Sequence, residues 1–524
     1  MLKKQLVLVI MDGVGLAASS DSNAVACARM DTLKNLARQH LSLSLGASGS
    51  YVGLKAGQMG NSEVGHNTMG AGEIIPQIAS LVDDAFASGD VFKSQAWRKS
   101  LSIVKDNNST LHFIGIFSDG GVHSNIAHLE AMLKQAQLSG VKKVRLHILL
   151  DGRDVAPCSE PKYIRRIESF IKQLGASDYL IASGGGRMTI TADRYGDNWG
   201  MVERGWRTHV LGEARAFPSA EIAVQTFRRE QPGIQDQNLP PFVVAKNGEA
   251  IGKIKDGDSV IYYDFRSDRA LEITEAFTQP IFTHFDRPYL PKINFTGMTT
   301  YDLDRQIPHN ILVAPAKIPQ PLPEYLSQKG LRQFAISETV KFGHIGYYFN
   351  GNRRSVPKGE IRRELPSCQL PFELCPWMQS AESTTQLVRA IESQKYDFLR
   401  INFPGGDMLG HTGNMQASIV ALEAIDIAIG RIIASAKKHH ASVIICADHG
   451  NAEELRNRDG MKTSHTTNPV PCIVADFSEK AQALALKPGD YGLANLAASI
   501  AFLLDAEPSP RWLPSFLESA APAP

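Results

Sequence analysis

Leu6-Val7-Leu8-Val9-Ile10-Met11 is an unbroken apolar run, rich in β-branched residues, that stops on Asp12-Gly13. A strand that reads as continuously apolar, not alternating, is one buried on both faces of a parallel sheet. The design recurs along the chain. Residues 111–117 lead into Ser118-Asp119-Gly120-Gly121-Val122-His123, and residues 144–150 into Asp151-Gly152-Arg153-Asp154. Residues 179–183 open onto Gly184-Gly185-Gly186-Arg187, and residues 259–264 onto Phe265-Arg266-Ser267-Asp268-Arg269. Further on, the pattern resumes at 333–336, 398–402, 442–446 and 472–475. Between these runs, apolar residues at helical spacing predict helices over 23–39, most of 81–104, and 415–437. Strands alternating with helices predict an α/β protein, and 524 residues exceed what one core sustains. Turn-rich stretches near 75–78 and 305–323 mark the candidate boundaries. They divide the chain into a discontinuous domain, 1–76 with 311–524, and an inserted domain, 77–310, each doubly wound. The Ala/Pro-rich end, 519–524, is expected to fray.

Charge changes this picture little. Lys and Arg number 55 against 54 Asp and Glu, which leaves no electrostatic case for nucleic acid or an anionic membrane surface. No apolar run is long enough to span a bilayer, and the first one lacks a signal-peptide cleavage site. Six cysteines without C-x-x-C spacing, mostly in or beside apolar segments, suit reduced thiols in a cytoplasmic protein.

The chemistry gathers where ligands bind in α/β sheets, at the carboxyl ends of strands. Residues 57–72 hold five glycines in sixteen positions around one hydroxyl, Ser62. Such a loop lets backbone N–H groups close on an anion, and Ser62 reads as the N-cap of a short helix. A serine hydroxyl needs a base or a metal to become a nucleophile. The last third of the chain supplies the ligands: Asp407 and His411 four apart, Asp448-His449 directly after an apolar strand, and His465 in a threonine-rich loop. With Asp12 and Ser62 they make seven ligands, enough for two cations. Two cations about 3.5–4 Å apart can clamp the attacking and departing oxygens of an in-line phosphoryl displacement. Oxygen and imidazole donors suit Mn²⁺, Zn²⁺ or Mg²⁺ without choosing among them. In the middle region Arg153, Arg187, Arg194, Arg266 and Arg269 lie near strand ends, where planar guanidinium forks suit a small, doubly anionic substrate. His123 and Asp154 are available for proton transfer. Lys341 stands as a lone cation in an α/β loop.

Taken in order, Met11-Asp12-Gly13, residues 57–72, Ser118 to His123, Asp151 to Asp154, Asp193-Arg194, Phe265 to Arg269, Asp407 to His411, Asp448 to Glu453 and His465 to Pro469 are similar to one known pattern. The chain resembles the cofactor-independent (2,3-bisphosphoglycerate-independent) phosphoglycerate mutases of the alkaline phosphatase superfamily. The resemblance implies an alkaline-phosphatase-like metal domain with an inserted α/β transferase domain. It implies interconversion of 3-phosphoglycerate and 2-phosphoglycerate, in glycolysis and gluconeogenesis, through a phosphoserine at Ser62. One cation would take Asp12, Ser62, Asp448 and His449, and the other Asp407, His411 and His465. Mn²⁺ is the first expectation, with Zn²⁺, Co²⁺ and Mg²⁺ open, and no 2,3-bisphosphoglycerate is required. Substrate contacts would fall to His123, Arg153, Asp154, Arg187, Arg194, Arg266, Arg269 and Lys341. Lys341 would stabilise phosphoryl charge beside Ser62, and Asp154 or His123 would handle the hydroxyl proton. Closure of the two domains would exclude water. The expected protein is a cytoplasmic monomer whose partner is its small-molecule substrate. Three positions depart from the usual pattern, Phe403 before Pro404, Asp264 before Phe265 and Ser464 before His465, and none of them removes a ligand. A phosphomonoesterase or phosphopentomutase of the same superfamily, or a metal-stabilised scaffold, is the rival reading.

Overall fold

The apolar run Leu6–Met11 is the middle strand of a seven-stranded sheet, fully buried on both faces. From one edge the strands run Glu360–Leu365, Gln333–Glu338, Phe398–Phe403, Leu6–Met11, Ser442–Cys446, Val470–Ala475 and Leu41–Leu45. The first five are mutually parallel, and Val470–Ala475 runs against both of its neighbours. The computed structural model describes residues 4–520 apart from 194–195, 197, 304, 458–459 and 479–483. The chain divides into two compact units, Met1–Gln77 with Lys317–Pro524, and Ile78–Ala316.

The second unit has its own sheet. Its strands run Asn294–Gly297, Ser259–Tyr262, Leu111–Ile116, Val144–Leu150, Tyr179–Gly186, Phe242–Lys246 and Arg215–Phe217, with Glu249–Ala250 folded back on the sixth. The first five are parallel, and Phe242–Lys246 pairs antiparallel to Tyr179–Gly186. Separate clusters of buried aliphatic and aromatic side chains fill the two units. Each fold is thus α/β. Among the described residues no helix is long and apolar enough to cross a membrane.

Several local expectations change. The helix over 23–39 is two helices, Ala24–Cys27 and Asp31–Gln39, because Ala28 turns to an extended backbone (ψ 147°) between them. Left-handed Gly89 and the capping hydroxyl of Ser94 break the 81–104 stretch in the same way. Ser62 is not the N-cap. The Oδ1 of Asn61 accepts the Val64 N–H at 2.9 Å, so the helix Ser62–Ala71 begins with Ser62 inside its first turn and its hydroxyl free for other work. Of the cysteines only Cys446 and Cys472 are buried, opposite each other on neighbouring strands, while Cys27 and Cys158 are exposed.

Candidate metal and substrate sites

At the carboxyl end of the first unit's sheet, short segments following four strands deliver their side chains to one place. Asp12 follows Leu6–Met11, Asp407 lies in the helix Gly405–Gly410 after Phe398–Phe403, and Asp448-His449 follows Ser442–Cys446. Lys341 comes from Thr339–Gly343, after Gln333–Glu338. Two glycines make the approach possible. A Cβ on Gly13 would lie 2.6 Å from the Asp407 backbone, and one on Gly65 would lie 2.5 Å from the Asp448 carbonyl oxygen.

Ser62 sits at the centre. Its Oγ is 3.2 Å from Asp12 Oδ1, 2.9 Å from His449 Nε2 and 2.5 Å from Lys341 Nζ. The ammonium of Lys341 also donates to Asp12 (2.9 Å) and Asp407 (2.6 Å). His411 and His465 both aim Nε2 at Asp407 Oδ1, each at 3.1 Å, and the two nitrogens are 3.1 Å apart. All seven ligand candidates therefore meet at one end of one sheet. His411 and His465 form its solvent side, and Asp12, Asp448 and His449 are fully buried.

The donor set fits divalent cations. His411 Nδ1 bonds the Thr463 carbonyl at 2.6 Å, His465 Nδ1 that of Gly60 at 2.9 Å, and His449 Nδ1 that of Gly450 at 3.2 Å. A carbonyl can only accept, so each Nδ1 carries a proton, and a neutral ring then turns the Nε2 lone pair inward. Lone pairs of His411 and His465 and the oxygen of Asp407 thus converge with no proton among them, an arrangement that a cation satisfies. Three groups of side chains, Asp407/His411/His465, Asp12/Asp407/His449 and Asp12/His66/Asp448, each hold ligand atoms within 4.8 Å of one another. Buried Asp448 Oδ2 makes no hydrogen bond among the described residues.

Electrostatics follow from this crowding. Burial alone would push the Asp12 carboxyl up, yet Lys341 and His449 hold it well below the usual range. Asp407 is likewise held down, against burial, by Lys341, His411 and His465. Burial would lower His449, but Asp448, Asp12 and Asp407 raise it to about 10. His411 is raised chiefly by its bond to Asp407.

Four supporting residues escaped the sequence reading. His66, one helical turn after Ser62, lies 3.2 Å from Asp448 Oδ2, and its Nε2 accepts from Asn402 at 3.1 Å. Asn402 also donates to Asp12 Oδ2 (2.8 Å), and Asn451 donates to Asp407 Oδ1 (3.1 Å). Glu453 ties three loops together by accepting from Gly15 N, Asn451 N and Asn468 Nδ2 at 2.8–3.0 Å, and from the Thr466 hydroxyl. Position was the available signal, since all four lie inside or beside the motifs that carry the ligands.

In the second unit, Asp151 orders the loop that carries Arg153 and Asp154 and anchors the Arg187 guanidinium. It accepts from Ser118 Oγ (2.6 Å), from the backbone N–H groups of Arg153 and Asp154 (both 3.2 Å) and from Arg187 Nη1 (2.7 Å). Arg187 is almost fully buried and also pairs with Asp154. His123 Nδ1 is 3.2 Å from Asp264 Oδ2, whose other oxygen accepts the Arg266 N–H at 2.8 Å. Arg269 Nη1 donates to the Ala192 carbonyl at 2.7 Å. Arg153 is exposed, and Arg194 lies outside the described residues.

Comparison with known proteins places this architecture. The model of the metalloenzyme superfamily matches residues 4–508. A probable 2,3-bisphosphoglycerate-independent phosphoglycerate mutase of Leptospira interrogans is 44% identical over 98% of both chains. The 2,3-bisphosphoglycerate-independent phosphoglycerate mutase of Trypanosoma brucei brucei is 43% identical over 99% of this chain and 98% of its own. The crystal structure of Leishmania mexicana phosphoglycerate mutase at low cobalt concentration superposes with a TM-score of 0.80 at 39% identity, covering 99% of this chain and 98% of the other. This chain belongs to the 2,3-bisphosphoglycerate-independent phosphoglycerate mutases, isomerases within the metalloenzyme superfamily.

Proposed function

We propose that the chain interconverts 3-phosphoglycerate and 2-phosphoglycerate by passing the phosphoryl group through Ser62, without 2,3-bisphosphoglycerate. The observation that carries this reading is the placing of Ser62 Oγ within 3.2 Å of Asp12, His449 and Lys341 together. Asp12, Ser62, Asp448 and His449 would hold one divalent cation, and Asp407, His411 and His465 a second. Mn²⁺ is the ion we propose, with Zn²⁺, Co²⁺ and Mg²⁺ as alternatives. When bound, such a pair supplies positive charge that favours the ionised serine and offsets phosphoryl charge.

The chain's own residues then divide the work. Ser62 Oγ forms the new bond to phosphorus as the ester bond to glycerate breaks. The freed glycerate oxygen takes a proton from Asp154 or His123. Arg153, Arg187, Arg194, Arg266 and Arg269 hold the carboxylate while the glycerate reorients. Its other hydroxyl gives a proton back and attacks the phosphoserine, which restores Ser62. Lys341 Nζ keeps a cation beside the phosphoryl group throughout. In this scheme the discontinuous unit is the metal-binding domain and Ile78–Ala316 the inserted substrate-binding domain. A cytoplasmic, monomeric enzyme completes the proposal. The test is an assay of the purified protein with 3-phosphoglycerate and Mn²⁺ in the absence of 2,3-bisphosphoglycerate. Formation of 2-phosphoglycerate is expected, and its absence, with metal bound, overturns the reading.

A further inference from the structure

Across the second unit's sheet runs a buried polar chain that the proposed chemistry does not use. Asp258 Oδ2 meets His112 Nε2 at 3.1 Å, and His112 Nδ1 meets His147 Nε2 at 2.9 Å. His147 Nδ1 meets Ser183 Oγ at 2.7 Å, Ser183 Oγ meets His209 Nδ1 at 2.9 Å, and His209 Nε2 meets Thr191 Oγ1 at 2.9 Å. All six residues are at most 5% exposed.

Directions along the chain follow from its fixed end. Asp258 also accepts from the backbone N–H groups of Thr110 and Lys255, both at 2.8 Å, so its carboxylate is an acceptor anchored from two sides. His112 therefore donates to it. With each ring neutral, His147 donates to His112, Ser183 to His147, His209 to Ser183, and Thr191 to His209. This single assignment pairs both nitrogens of all three rings. Burial lowers all three histidines, and Arg145 opposes protonation of His112 and His147.

Two backbone irregularities serve the chain. The pairing of Val144–Leu150 with Tyr179–Gly186 shifts between Leu146 and His147, so that His147 lies opposite Ser183 and Ala182 is the extra residue. A bulge of this kind re-aims a side chain. His209 lies in a π-helical turn, Arg207–Leu211.

The far end is strained. Thr191 has φ +67°, and it is the only β-branched residue with left-handed φ among the described residues. Such a conformation persists only where the surroundings hold it. The hydroxyl bond to His209 and the Thr191 N–H bond to Met201 O (3.0 Å) hold it here. Gly205 leaves it room, since a Cβ there would lie 2.2 Å from Thr191 Oγ1. The next residue is Ala192, whose carbonyl receives Arg269 Nη1 at 2.7 Å.

Resting on the reading that this unit binds the glycerate, we propose that Thr191 is a positioning residue, held by the Asp258–His112–His147–Ser183–His209 chain, that aims the Arg269 guanidinium at the substrate through the Ala192 carbonyl. Two variants cut the chain at different places. Thr191→Val keeps the shape and removes the last donor, while Ser183→Ala opens the middle. Both are expected to raise KM for 3-phosphoglycerate about tenfold with kcat changed by less than about twofold, the loss of one buried hydrogen bond expressed in binding. Thr191→Ser, which keeps the hydroxyl, is expected to hold the wild-type KM. A KM for Thr191→Val within about twofold of wild type, or one raised equally in Thr191→Ser, overturns the proposal. If Ser183→Ala does not fold, the Thr191 pair decides alone. A wild-type enzyme without activity on 3-phosphoglycerate refutes the functional reading instead, so the two failures are separable.

Discussion

Two buried histidines, His449 in the first unit and His209 in the second, are perturbed in opposite directions. In the first unit, carboxylates surround buried His449 and lift it to about 10, against a burial that would lower it. In the second, His209 is equally buried and falls to about 3, because burial and the neighbouring His112 both oppose its charge. The sites differ as well. The first unit collects oxygen and imidazole acceptors around one ammonium, an environment that a cation completes. The second holds its buried guanidinium, Arg187, between the carboxylates of Asp151 and Asp154. Equal burial therefore does not decide protonation by itself: several carboxylates outweigh it at His449, whereas it prevails at His209.

Four measurements sharpen or break this contrast. The largest effect belongs to Ser62→Ala, which is expected to lower turnover about 10⁴-fold or more while bound metal is largely retained, checked by coupled assay and metal analysis. Appreciable turnover in that variant counts against the serine route. Next, Lys341→Met removes the ammonium that touches Ser62, Asp12 and Asp407, and kcat is expected to drop about 10²- to 10³-fold. An unchanged kcat would mean that the ammonium plays no part in the chemistry.

A third measurement uses acid. His209, His147 and His112 are neutral in the fold and regain their ordinary values on unfolding. The unfolded chain then binds more protons below about pH 6.5, so the stability held in these groups is lost as pH falls through that value towards 3. By pH 5 the loss from His209 alone is on the order of 2 kcal/mol. Hydrogen exchange should show the Leu111–Ile116 and Val144–Leu150 strands loosening before Leu6–Met11 does, and the reverse order would contradict the contrast. The smallest effect is proton release. His449, raised to about 10, carries a proton near neutral pH that a cation must displace. Titrating Mn²⁺ calorimetrically in buffers of different ionisation enthalpy should show net release and an affinity that rises with pH. No release would argue against imidazole ligation.

Much of this was legible in the sequence because parallel strands buried on both faces leave unbroken apolar runs, and their ends carry the ligands. Asp12, Asp448-His449 and the Asp407/His411 pair were readable for that reason. Edge strands were not. Leu41–Leu45 alternates Leu and Ser, and Glu360–Leu365 carries exposed Arg363 and Glu364, since an edge faces water and resists pairing with other chains. The Asn61 cap was missed because Asn and Ser are equally good caps and adjacent. His66 hides within a motif whose serine draws the attention. The bulge at Ala182 leaves no mark in composition, so the histidine chain that depends on it could not be read at all. The pairing register creates it.

Whether the phosphoryl group rests on Ser62 during turnover is the claim on which the account stands. Rapid quenching of the enzyme with phosphoryl-labelled 3-phosphoglycerate, followed by peptide mapping, addresses it directly. The expected result is label on the peptide containing Ser62, formed and discharged fast enough to support turnover. Steady conversion to 2-phosphoglycerate with no label on that peptide at any time would contradict it.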